Sequence, residues 1–124
     1  MHDPMQVKSF RAGAVIAAYR IVAYPVSGTV VTADGATTPL LGCTAEVGAD
    51  EGGMADVAVL GLTEVQFGGD VDAGDPVTSD AQGRAVKAEP AAGTQAFVLG
   101  FAIADAVSGD IAGVTLSPFI LTGV

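Results

Sequence analysis

Glycine and proline interrupt this chain at short intervals along its whole length. Seventeen Gly and six Pro are spread over 124 residues instead of being gathered in one linker. A Pro inside a helix removes a hydrogen bond and clashes with the preceding turn, and a Gly there loses backbone entropy. No stretch between the breaks supports a long amphipathic helix, although Pro90-Ala91-Ala92-Gly93-Thr94 fits one short turn. The segments that remain are rich in Val, Ile, Thr and Tyr, and several alternate with the two-residue rhythm of a half-buried strand. The chain reads as all-β, with no domain boundary inside residues 15–124.

Strands are expected at Val15–Tyr24, Gly28–Ala33, Pro39–Val47, Ala55–Leu60, Leu62–Phe67, Gln95–Ala104 and Ile111–Leu121. Asp34-Gly35 is a hairpin signal between the second and third, and Gly61 a bend or bulge between the fourth and fifth. The run Ala73–Ala88 carries two short strand patterns around Asp80-Ala81-Gln82-Gly83, where Asp first and Gly last suit a type I turn. Pro118 places the last strand at an edge or a bulge. Short, Gly-broken strands in this number favour a small antiparallel β-barrel over a sandwich.

Composition narrows the function. Half the residues are hydrophobic and mean hydropathy is +0.52, yet only 6% are aromatic and none is Trp. A membrane-spanning helix needs about 20 consecutive apolar residues, and the longest run, Ala12–Tyr24, is cut by Arg20. Residues Met1–Lys8 lack the basic start and apolar core of a secretory signal, which points to synthesis in a cytoplasm. The net charge of −9 opposes any sequence-independent grip on nucleic acid.

Chemistry finds few candidates. Cys43 has no second Cys to pair with and lies in the apolar run Pro39–Thr44, as a small buried hydrophobe would. His2, the one histidine, stands near the N-terminus, so no Ser-His-Asp, Cys-His or usual zinc set can form. Five Phe and two Tyr make a poor carbohydrate platform. Asp70-Val71-Asp72-Ala73-Gly74-Asp75 has the alternating acids and Gly of a calcium loop but lacks the distal bidentate Glu, since Ala81 stands there. An acidic β-turn is the plainer reading. No catalytic residue, cofactor or metal ligand is assigned, and an enzyme is not expected.

The first 14 residues hold Lys8 and Arg11, two of the five basic side chains, beside Val7 and Phe10. Cations interleaved with apolar anchors suit a docking arm on an acidic partner, so Val7, Lys8, Phe10 and Arg11 are the candidate partner-binding residues. A frayed terminus is the other reading.

The order of three elements resembles a known family. Ala73-Gly74-Asp75-Pro76-Val77-Thr78-Ser79-Asp80 with Gly83-Arg84-Ala85-Val86-Lys87-Ala88 comes first. Gly100-Phe101-Ala102-Ile103-Ala104 and Gly109-Asp110-Ile111-Ala112-Gly113-Val114 follow. Together they are similar to the capsid decoration, or cement, proteins of tailed bacteriophages. The resemblance implies a β-barrel or β-tulip-like domain without catalytic residues, seated on the capsid exterior. It further implies a major capsid protein as partner, shell stabilisation by bridging its subunits, and a homo-oligomer, a trimer or else a dimer. Composition leaves two other readings open: a tail or baseplate β-module, and a calcium- or carbohydrate-binding β-domain.

Overall fold

The computed structural model describes residues 6–123, and among them there are nine strands and no helix. β1 spans Gln6–Ala12, β2 Ile21–Ala23, β3 Thr29–Val30, β4 Leu40–Thr44 and β5 Met54–Gln66. β6 spans Pro76–Ser79, β7 Ala85–Lys87, β8 Gln95–Ala102 and β9 Ile111–Thr122. One antiparallel sheet runs β2-β4-β5-β9-β8-β6-β7, with β1 added beside the first half of β5 and β3 parallel to β1. The sheet curls into a half-barrel. Its far end returns to its start, because Ile21 N–H donates to the Gly83 carbonyl at 2.7 Å and Phe67 bridges to Ala85.

The two strands expected over Ala55–Leu60 and Leu62–Phe67 are one strand of 13 residues. Gly61, at φ +92°, bends it without ending it. The first half pairs with β1 and β4, and the second half with β9. This bend divides the core. Phe67, Ile21, Leu99, Val65 and Val114 fill the inside of the half-barrel. On the outer side of β2 and β5 a smaller core of Ile16, Val22, Val30 and Val57 lies beneath β1 and β3. Ile21 and Val22, like Val57 and Ala58, enter opposite cores. Strands buried on both faces read as continuous apolar runs, and small side chains let the layers sit close.

Two expectations fail here. Val15–Tyr24 is not one strand: only Ile21–Ala23 is, since Tyr19 turns the chain at φ +58°. Asp34-Gly35 does not join a hairpin either. β2 lies between the two segments, with Thr32 bridged to Val22 on one side and Cys43 and Gly42 paired on the other. A tight turn joins only adjacent strands, so residues 34–38 cross over instead.

The hairpin over Ala73–Ala88 forms as expected, with Gly83 N–H donating to the Asp80 carbonyl at 3.3 Å and Gly83 at φ +76°. Pro118 lies at both an edge and a bulge. Beyond Leu116 β9 loses β5 as a neighbour, and its register with β8 shifts between Val98 and Gly100.

Candidate partner-binding surfaces

Of the segment 1–14 expected to act as an arm, residues 6–12 form β1, so all four candidate residues stand on one strand. Register separates them by face. Val7 pairs with Ala58 and Arg11 with Met54, while Lys8 pairs with Val57 and Phe10 with Ala55. Phe10 rests half-buried on the smaller core; Val7, Lys8 and Arg11 are exposed. Ser9 Oγ donates to Asp56 Oδ1 at 2.6 Å, and Arg11 Nη1 to the Gly52 carbonyl at 3.1 Å. Among the described residues the one ion pair is Arg84–Asp80 at 2.9 Å. Neither Lys8 nor Arg11, both on an exposed strand, forms an ion pair with a described acidic side chain.

Cys43 is fully buried, and that burial pushes its thiol up to about 12, against a weaker opposite pull from a hydrogen bond to Thr63. It is held neutral and out of reach. His2 lies outside the described residues. No three His, Cys, Asp or Glu side chains among the described residues converge on a metal position.

The acidic stretch Asp70–Asp75 is a turn that satisfies itself. Asp75 N–H donates to the Asp72 carbonyl at 3.0 Å, and Asp75 Oδ2 accepts from Asp72 N–H at 2.9 Å. The same turn recurs at Val107–Asp110, where Asp110 Oδ2 accepts from Val107 N–H at 3.1 Å. At Val26–Thr29 and Ala91–Thr94 a Thr hydroxyl donates to the first carbonyl instead. All four have Gly in third place, at φ between +80° and +95°. The carboxylates are turn acceptors.

The sequence reading missed an apolar strip on the outer face of the sheet. Leu62, Thr115 and Phe101 lie side by side across β5, β9 and β8. The Phe101 ring stacks on Phe119 at 5.5 Å between centroids. Both rings are 36% exposed and Leu62 44%. The signal was present as apolar residues on both phases of β8 and β9.

Among the described residues Lys8 and Arg11 lack an ion-pair partner, and an apolar strip stands exposed on the sheet. The profile of the phage cement proteins matches residues 8–116. This chain belongs to the phage cement protein family. Among solved structures the cement protein is similar to the N base of the head fiber gp8.5 of bacteriophage phi29. Identity is 25% and the TM-score 0.69, over 91% of this chain and 94% of that one. No curated protein matches it in sequence. The cement protein is a structural protein of the virion head.

Proposed function

We propose that this protein binds the outside of the capsid and stabilises the shell by bridging neighbouring major capsid protein subunits, as a homotrimer docked through β1. The observation that carries this is the pair Lys8 and Arg11, exposed and, among the described residues, without an acidic partner on a strand of a family of cement proteins. Opposite charge on a partner steers encounter and fixes register. Val7, 49% exposed on the same strand, supplies an apolar anchor.

The mechanism is linkage. A protein that binds only the mature shell stabilises it by about 2.7 kcal/mol per site when free protein stands at one hundred times Kd. Several attachments per oligomer multiply the effect.

The test is occupancy on purified shells lacking the protein. Lys8→Glu with Arg11→Glu is expected to lower affinity by roughly tenfold or more while the circular dichroism spectrum stays native. Unchanged occupancy removes β1 from the contact. Absence of wild-type binding removes the shell function.

A further inference from the structure

We infer that a second copy of this chain packs on the apolar surface beside the free half of β9. The inference rests on the oligomeric reading above and assigns it a place. Two grooves, of about 210 and 360 Å³, share Tyr24 and Pro39 and so form one continuous surface. Phe119 and Ile120 line the first, and Val26 and Val31 the second. Ile120 is 52%, Tyr24 53% and Val26 74% exposed, and contiguous exposed apolar surface marks interaction sites.

Charge selects the occupant. Asp34 is the one charged side chain lining either groove. The other two depressions differ: one carries Glu46 and Glu64, the other Glu46 and Asp56. Identical chains of net charge −9 repel one another wherever acids would meet. A cationic partner suits the depression that carries Glu46 and Glu64, and an acidic partner suits the Lys8 and Arg11 cations. The surface with Asp34 as its one charge suits a second copy of this chain, because few acids stand there to oppose those of the neighbouring copy.

The edge of β9 adds hydrogen-bonding capacity to this surface. Phe97 N–H donates to the Ala36 carbonyl at 2.9 Å, away from β9. Phe97 and Ile120 are therefore a pair that exchanges no hydrogen bonds, and the Ile120 N–H and C=O point off the free edge. Among the described residues no strand receives them.

Sedimentation of the free protein, with no shells present, tests the inference. Wild type is expected to run as an oligomer whose mass persists in about 1 M salt, where charge contacts are screened. Ile120→Asp with Val26→Asp is expected to yield a monomer with native circular dichroism. Val47→Asp, at a 72% exposed site in an acid-lined depression, should leave the mass unchanged. A monomeric wild type, an oligomeric double variant, or dissociation by Val47→Asp would each overturn the assignment. An intact oligomer that fails to bind shells would instead count against the proposed function alone.

Discussion

Cys43 is paired in register with Ile21 on β2 and Ala58 on β5, and both neighbours belong to the interior core. Its thiol rises from an ordinary 9.0 to about 12 because burial disfavours the thiolate. The folded chain thus holds this proton more tightly than the unfolded chain. The stability that follows is complete below pH 9 and is lost as pH climbs toward 12, where the unfolded chain ionises first. Unfolding free energy measured in denaturant should fall more steeply across that window for wild type than for Cys43→Ala. Parallel slopes would refute the linkage. Asp80 makes the complementary case with a polar side chain. Its Oδ1 accepts from the N–H groups of Gln82 and Arg84 at 2.9 Å each, and its Oδ2 from Arg84 Nε. Asp80→Ala should cost about 2 kcal/mol, read from the urea midpoint, since two backbone donors and a partly exposed guanidinium lose their acceptor. Both residues were legible in the sequence: an apolar run announces a buried Cys, and Asp-x-x-Gly announces its turn. Asp72 and Asp75 invited a calcium reading because the eye took them alone. Set beside Val107–Asp110, they are one instance of a repeated turn.

At the scale of elements, the strands that could be read were those whose neighbours lie close in sequence. β6 and β7 are joined by their own turn, and their hairpin is written in residues 73–88. β2, β3 and β4 are arranged by contacts that no local pattern records, since Thr32 bridges to Val22 on β2, which separates it from β4. Gly61 and Gly100 show the same division. A bend was readable at Gly61. The role of Gly100 was not, because it comes from another strand: a Cβ there would stand 1.7 Å from the Thr115 carbonyl oxygen. Gly100→Ala should therefore force β8 and β9 apart and cost about 3 kcal/mol, as overpacking of a tight site does. A loss below about 1 kcal/mol in denaturant melts would show that the bulge absorbs the methyl group. β1 carries a lesson for experiments on docking. Phe10 and Ala12 help close the smaller core over Ala55 and Val57. Cutting the chain before residue 12 would uncover that core, so charge reversal at Lys8 and Arg11 separates docking from folding where truncation confuses them.

For the whole molecule, the division of surfaces has a measurable consequence. All-β architecture followed from composition, while the placing of the two proposed surfaces followed only from curvature. The bend at Gly61 frees the end of β9 and opens the groove beside Tyr24, and pairing with β5 sets Lys8 and Arg11 on an exposed strand. If each oligomer grips the shell through several copies of β1, its hold exceeds that of one copy by the effective concentration of the tethered strands, about 100-fold or more. The Ile120→Asp, Val26→Asp variant keeps β1 intact, yet it should need about 100 times more protein to fill the same shell sites. Salt should act on wild type in the opposite order, loosening attachment through Lys8 and Arg11 while the free oligomer keeps its mass. Occupancy curves for both proteins, taken at low and high salt, resolve the two contributions. Equal half-saturation for wild type and variant would mean that a single copy carries the attachment, and that the oligomer surface does not contribute to holding the shell.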